Sequence, residues 1–346
     1  MNVMENLQTT GDNRSPMFSV IVPIYNTAEY IEVCIRSLLD QKQSDFEIIA
    51  IDDGSTDNSA ELLERLAAGD KRLRIYRQEN AGQGMARNFG LSKARGRFVA
   101  FVDSDDVVAP DFFSRIAQKL SDPELDVVSF GILFRNPAGR TVATRSTATT
   151  FTSSGDTIFL DAMLDRNFMS VVWNKIYRRS LLVENEITFP KLRAYEDSVF
   201  SRSVAHHARK VLYMKDILYF ALTRHDSTSR AMSVRSFRLA AEMIDCERSM
   251  FYAGVEKPVW RGAFSAHVAR FFAYLIILSA FRIDSEAERA DCLKIAYDAG
   301  FNAAAADKQA RKLLNLRIKA QIFLARHPRL LRMLAVTARR LNLVPY

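Results

Sequence analysis

Cysteine is scarce in this chain. Among 346 residues only Cys34, Cys246 and Cys292 carry a thiol, far apart and without a CxxC pair. That argues against a disulfide scaffold or a zinc knuckle and fits a reducing compartment. Long hydrophobic runs are missing as well. The most apolar window, FFAYLIILSAF at 271–281, is too short to span a bilayer and reads as a buried helix. The N-terminus has no apolar stretch, so residues 1–16 are expected to be a flexible polar leader and not a signal peptide. No G-x-G-x-x-G follows the first apolar run, which speaks against a dinucleotide-binding dehydrogenase. Acids are missing from one segment. From Ala310 to Asn342 the charges are Arg311, Lys312, Arg317, Lys319, Arg326, Arg329, Arg332, Arg339 and Arg340, within a formal net charge of +8.

What is present supports a folded protein. Hydrophobic residues make up 48% and charged residues 25%, enough for a sizeable core. The first part alternates. FSVIVPI (18–24) is a β-rich run, followed by Ile31, Cys34, Ile35, Leu38 and Leu39 on one helical face. FEIIAID (46–52) is a second strand, and Asp57 or Asn58 can cap the helix after it. LRIYRQ (73–78) is a third strand, and the next helix runs from about Gly84 to Ala94 with Gly96 ending it. FVAFV (98–102) is the fourth. Near-continuous apolar strands alternating with amphipathic helices predict a parallel sheet covered on both faces, with ligands beyond the carboxyl ends of its strands.

After Pro110 the pattern changes. A helix at DFFSRIAQKL leads to a strand pair at 126–134 and 140–151, joined by the turn NPAG. A helix near 157–165, a strand at VVWNKIY, a helix from Glu196 to His206, and strands at VLYM and ILYFALT follow. Beyond Ser233 the chain reads as helical. Its acid-free end suits either an anionic membrane surface or a solvated helical face closing the domain. No nucleic-acid motif accompanies the charge.

The strand-end loops carry the chemistry. Asp103 and Asp105 form a D-x-D around Ser104 where FVAFV ends. Mg²⁺ or Mn²⁺ is one reason to gather two carboxylates there, and an Asp-rich turn capping the next helix is another. In DDGSTD (52–57) a tight turn accounts for Gly54, Ser55 and Asp57, but less well for Asp52 and Asp53, which suit hydrogen bonds from a base or ribose. Pro23 ends the first strand, and Tyr25 is either a rim aromatic or a platform for a nucleobase. Glu196 and Asp197 open a helix, where acids favour the dipole or where one of them acts as a base.

VIVPIYN, IDDGSTD, ENAGQGMARNFG and FVDSDD, in this order and spacing, resemble the family-2 glycosyltransferases of the GT-A fold. The resemblance is strongest over residues 17–115. It extends through WNKIYRRSLL (173–182) and YEDSVF (195–200) to about 230. It implies an α/β, doubly wound, mainly parallel sheet over 17–232, with a nucleotide-binding half (17–115) and an acceptor-side half (116–232). A helical region with a basic amphipathic tail follows at 233–346. By the resemblance, Pro23, Tyr25 and Asn26 line the nucleoside pocket, and Asp52 and Asp53 lie near base and ribose. Asn80, Gly82 and Arg87 lie near the nucleotide and donor sugar, and Asn88 continues that motif. Asp103 and Asp105 hold Mn²⁺ or Mg²⁺ at the donor diphosphate, with Ser104 between them. Asp197 is the general base. Glu196, Trp173, Asn174 and Lys175 flank the acceptor. Arg224 belongs to a late loop over the diphosphate, and His225 is a further metal or phosphate contact.

The resemblance further implies inverting, metal-dependent transfer from a nucleotide-sugar, most often a UDP-sugar. The acceptor would be the hydroxyl of a glycan or lipid-linked molecule in cell-surface polysaccharide synthesis. The Q-x-x-R-W signature and transmembrane helices of processive synthases are missing, which points to single or limited additions. A cytoplasmic protein is expected, with peripheral membrane contact through 310–346. The helical region after 233 is equally suited to a homo-oligomer interface. Two alternatives stand beside this reading. A non-catalytic, degenerate transferase would be expected to lose the D-x-D or the base, and both are present. A sugar-phosphate nucleotidyltransferase would need a glycine- and basic-rich loop where this chain has PIYNTAEY.

Overall fold

The computed structural model describes residues 15–223, 232–252 and 257–340. All but the last two residues of the expected leader lie outside them. The first half is built as the alternation predicts: β1 (Phe18–Ile24), α1 (Ile31–Leu39), β2 (Phe46–Asp52), α2 (Ser59–Gly69), β3 (Leu73–Arg77), α3 (Gln83–Lys93) and β4 (Phe98–Phe101). These four strands are parallel, in the order β3-β2-β1-β4, with Phe18 opposite both Phe46 and Phe98. Every residue of β1 and β2 is buried, because helices cover both faces. Val20 and Val22 feed one apolar layer and Ile21 the other.

The second half comprises β5 (Val107–Val108), α4 (Phe112–Ala117), β6 (Leu125–Arg135), β7 (Thr141–Arg145), β8 (Phe151–Ser154), α5 (Asp156–Met163), β9 (Lys175–Arg178), α6 (Arg179–Glu184), α7 (Glu196–His207) and β10 (Lys210–Leu222). The sheet continues β4-β9-β6-β10-β5, with β7 against β6 and β8 against β10. Here the expected parallel character gives way. β9 runs antiparallel between β4 and β6, and only β6–β10 is parallel.

Three local expectations change, and a fourth, the choice of cap for α2, is decided. Gly96 does not end α3, which stops at Lys93. Its role is close approach, since a Cβ there would lie 2.5 Å from the Ser19 nitrogen. VVWNKIY is a strand only from Lys175; residues 171–174 form a turn. VLYM and ILYFALT are one strand, β10, with a register shift between Tyr213 and Ile217. Asn58 precedes α2, but Asp57 supplies the bond, accepting from the Ser59 N–H at 3.0 Å.

The C-terminal part is helical where described: α8 (Val234–Glu247), a π-helical turn (Arg248–Tyr252), α9 (Pro258–Arg282), α10 (Glu286–Asp298), α11 (Phe301–Ala306), α12 (Lys308–Leu313), α13 (Leu316–Ala325) and α14 (Pro328–Arg340). The apolar window at 271–281 belongs to the 25-residue α9, long enough and apolar enough to cross a membrane. Yet α9 is the axis on which α10 to α14 pack, and 56% of its most apolar stretch is buried. Phe159, Met163 and Val199 share one apolar cluster with Phe237, Phe251 and Phe272, so the helices are seated on α5 and α7.

Candidate active site

Four loops meet at the carboxyl ends of the parallel strands, and their cohesion is written in side-chain bonds. Asn26 adopts a positive φ of 51°, which asparagine tolerates better than most residues. Its Oδ1 accepts from the Thr56 N–H at 2.8 Å, and its own N–H donates to Ser55 Oγ at 3.1 Å. Asp57 Oδ2 accepts from the Ala28 N–H at 3.0 Å, so the loops after β1 and β2 are laced together. Pro23 is buried inside β1 and does not line the cleft. Tyr25, next to the cleft-lining Asn26, is 49% exposed.

Asp52 and Asp53 are both buried and both engaged. Asp52 Oδ1 accepts from the Ser55 N–H at 2.9 Å, and Arg77 Nε lies 3.2 Å from its Oδ2. Asp53 accepts from Gln78 Nε2 and from the Ala81 and Gly82 N–H groups, at 2.7, 2.9 and 2.9 Å. These carboxylates therefore shape the β2 turn and hang the loop before α3, which carries the exposed Asn80 and Gly82.

Arg87 on α3 is fully buried, beneath the cleft floor and not on its surface. Its Nη2 donates to Asp103 Oδ1 at 2.7 Å and its Nη1 to Asp197 Oδ1 at 2.6 Å, with Glu196 at 3.8 Å. The neighbouring acids hold its guanidinium firmly protonated. The contact needs α3 and α7 to approach closely. Gly84 permits it, because a Cβ there would already touch Glu196 Cγ at 3.0 Å. Asp103 Oδ1 also accepts from Gln83 Nε2 at 3.0 Å.

Burial pushes the Asp197 carboxyl up to about 7, against the opposing pull of Arg87. Tyr195, just before it, holds a left-handed φ of 67°, and its ring stands edge-on to Phe271 of α9. A bulky residue in that region is a costly conformation that the surroundings must enforce.

The D-x-D turn has a support that the sequence did not reveal. Tyr219 Oη accepts from the Asp103 N–H at 3.1 Å and donates to Asp106 Oδ2 at 2.7 Å. Asp106 Oδ1 accepts from the Leu222 N–H at 2.8 Å. Burial beside Asp103 and Asp105 raises the Asp106 carboxyl well above the ordinary carboxylate range. Trp173 stacks on Tyr219 at 4.7 Å and lines the cleft. Asn174 and Lys175 do not: both are buried. Lys175 Nζ donates to the Met169 and Val171 carbonyls and to Asn174 Oδ1, and its burial lowers its pKa to about 7. They brace the wall that carries Ser170 and Val171. Ser104 is buried in the turn, and Arg224 and His225 lie outside the described residues.

The resulting cleft has a volume of about 1190 Å³. Asp103, Asp105, Glu196 and Asp197 line it together with Asn26, Tyr30, Gln83, Trp173 and Tyr195, and no Lys or Arg does so among the described residues. Such a cleft would repel a diphosphate unless a cation came between. Asp103 and Asp105 fit that need, since Mg²⁺ or Mn²⁺ is held by one or two carboxylates plus phosphate oxygens and water. Among the described residues no third His, Cys, Asp or Glu completes a protein-only cage.

The family profile described as Glycosyl transferase family 2 matches residues 19–202, more than half of the chain. The putative glycosyltransferase EpsH of Bacillus subtilis is 35% identical over 209 residues, 59% of this chain and 60% of that protein. The poly(ribitol-phosphate) beta-N-acetylglucosaminyltransferase TarS of Staphylococcus aureus is 31% identical over 214 residues, 60% of this chain and 36% of that one. The chain thus spans about 60% or less of the length of these two relatives. In three dimensions, residues 1–349 of S. aureus TarS in complex with UDP-GlcNAc superpose with a TM-score of 0.69 at 23% identity, covering 94% of this chain and 92% of that one. The mannosyltransferase PcManGT from Pyrobaculum calidifontis, with GDP-Man and Mn²⁺, gives 0.53 at 18% identity over 94% and 88%.

Proposed function

The chain belongs to glycosyl transferase family 2, and from that premise we propose that it moves a sugar from a nucleotide-sugar, UDP-sugars first, to a hydroxyl of a glycan or lipid-linked acceptor in cell-surface polysaccharide synthesis. One observation carries the reading: the D-x-D turn and a carboxyl group of raised pKa face the same cleft, tied to one buried arginine. The fold neighbours were solved with UDP-GlcNAc and with GDP-Man and Mn²⁺, which supports a nucleotide-sugar in this cleft.

The proposed chemistry is a single in-line displacement. The acceptor oxygen attacks the anomeric carbon on the face opposite the diphosphate. The bond from that carbon to the phosphate oxygen breaks, its electron pair leaves with the nucleoside diphosphate, and the configuration inverts. A free alcohol is a poor nucleophile, so its proton passes to Asp197 as the new bond forms. Arg87 grips Asp197 by Oδ1, and among the described residues Oδ2 takes no partner, which leaves it for that proton. Tyr219, Gln83 and Arg87 fix the carboxylate and backbone of Asp103 before donor arrives. A divalent cation on Asp103 and Asp105 would neutralise the leaving diphosphate.

The test is a panel of UDP-, GDP- and dTDP-sugars with Mn²⁺ or Mg²⁺, read by released nucleoside diphosphate. Release from one donor class is expected. No release from any donor, with acceptors present and the protein folded, would overturn the reading.

A further inference from the structure

The last helices carry apolar side chains on two faces, and a helix closing a domain needs only one. Ile322 and Ala325 of α13, and Leu331 of α14, are buried in the cluster around α9. On other faces Leu316 is 85% exposed, Phe323 54% and Met333 59%, with Leu334 and Val336 also exposed. At 100° per residue Leu316, Ala320 and Phe323 share one side of α13, and Leu330, Met333 and Leu334 one side of α14. Scattered single apolar residues are ordinary on a protein surface, whereas a clustered set marks a contact surface.

Charge identifies the occupant. No Asp or Glu occurs from Lys308 to the end of the sequence. Arg317, Lys319, Arg326 and Arg329 are exposed, and no ion pair engages them among the described residues. Among the described residues of this segment Arg332 forms an ion pair, with Glu286 of α10 at 2.8 Å. Beside Phe323 opens a cavity of about 280 Å³, lined by Ala304, Leu314 and Ile322 and by Lys319 and Arg326. A second copy of this face would set like charges opposite one another, and a nucleic-acid backbone would leave the apolar stripes uncovered.

We propose that α13 and α14 dock the protein on an anionic bilayer. Their exposed Leu, Phe and Met side chains enter the headgroup boundary and the flanking Arg and Lys side chains meet lipid phosphates. The proposal concerns binding alone and stands apart from the catalytic reading.

Vesicle co-sedimentation of the full chain tests it. Binding to phosphatidylglycerol-containing vesicles is expected at low salt, falling as salt rises, with little binding to pure phosphatidylcholine. Two variants separate the contributions: Leu316→Ser with Phe323→Ser, and Arg317→Glu with Lys319→Glu and Arg329→Glu. All five positions are exposed, so thermal melts should match wild type. Each variant should lower partitioning by roughly tenfold or more. Equal sedimentation with neutral and anionic vesicles, or wild-type binding by both variants, would overturn the proposal. So would gel filtration in which wild type is a dimer and Leu316→Ser with Phe323→Ser is a monomer.

Discussion

Asp103 and Asp197, 94 positions apart in sequence, are held by the two terminal nitrogens of one guanidinium. Asp103 leaves the end of β4 and Asp197 the first turn of α7. Arg87 lies fully buried between them, so their separation is set from within the core. Two carboxylates on one cleft would otherwise repel. The arginine's positive charge offsets that repulsion and holds the two side chains close together.

Arg87→Lys keeps the charge and loses the fork. One ammonium cannot reach both carboxylates in the same geometry. We expect turnover to fall by about two orders of magnitude, since small misplacements of reacting groups cost that much. The KM for donor should change less than kcat. Steady-state kinetics on the folded variant provide the check, and a wild-type kcat would refute the bridging role.

Asp197→Asn removes the proton acceptor while preserving shape. Loss of a positioned base costs about 10²–10⁴-fold. Donor affinity, measured by calorimetry, should stay within a few-fold of wild type. Near-normal turnover would mean that another group accepts the proton.

The pH profile follows from the raised Asp197 carboxyl. The base acts only when ionised, and burial brings its pKa to about 7. Activity should therefore fall as pH drops through about 7 and level off above it. Arg87 pulls that pKa down, so in Arg87→Gln the acid limb should move to higher pH. A limb near the ordinary carboxylate range of about 4 would contradict the assignment.

Asp105→Ala probes the cation. Asp105 lines the cleft beside Asp103, and the cleft wall offers a diphosphate no described Lys or Arg. We expect wild type to bind UDP more tightly with Mn²⁺ than without, and the variant to lose that difference. If calorimetry gives the same metal-dependent gain for both proteins, the D-x-D assignment fails.

Much of this architecture was legible in the sequence because it is local. Four apolar strands, their helices and the acids at their ends follow from periodicity and strand termini alone. Side-chain orientation was not legible. Lys175 and Asn174 sit beside Trp173 in sequence, yet both are buried, where Lys175 bonds the Met169 and Val171 carbonyls and Asn174. Asp52 and Asp53 look available to a ligand until the loop 78–82 folds onto Asp53. Tyr219 left no signal, because its partners Asp103 and Asp106 lie more than a hundred positions away. The antiparallel β9 was likewise hidden, since a four-residue strand carries too little pattern to show direction.

One long-range cluster concerns stability more than chemistry. Arg202 of α7 donates through Nη1 to Glu247 Oε1 at the end of α8, and His267 Nε2 of α9 lies 3.1 Å from Glu247 Oε2. All three side chains are almost wholly buried, so the helical region is clasped to the helix that presents Asp197. Removing one partner of a buried pair strands the other without water. Glu247→Ala should therefore cost about 3–5 kcal/mol. A paired apolar replacement, Arg202→Met with Glu247→Leu, should cost much less, because it removes both desolvation penalties along with the attraction. Urea denaturation of the wild type, each single variant and the double variant closes the cycle. Additive losses across it would show that the contact carries no coupling. A double variant more stable than either single one is the expected outcome.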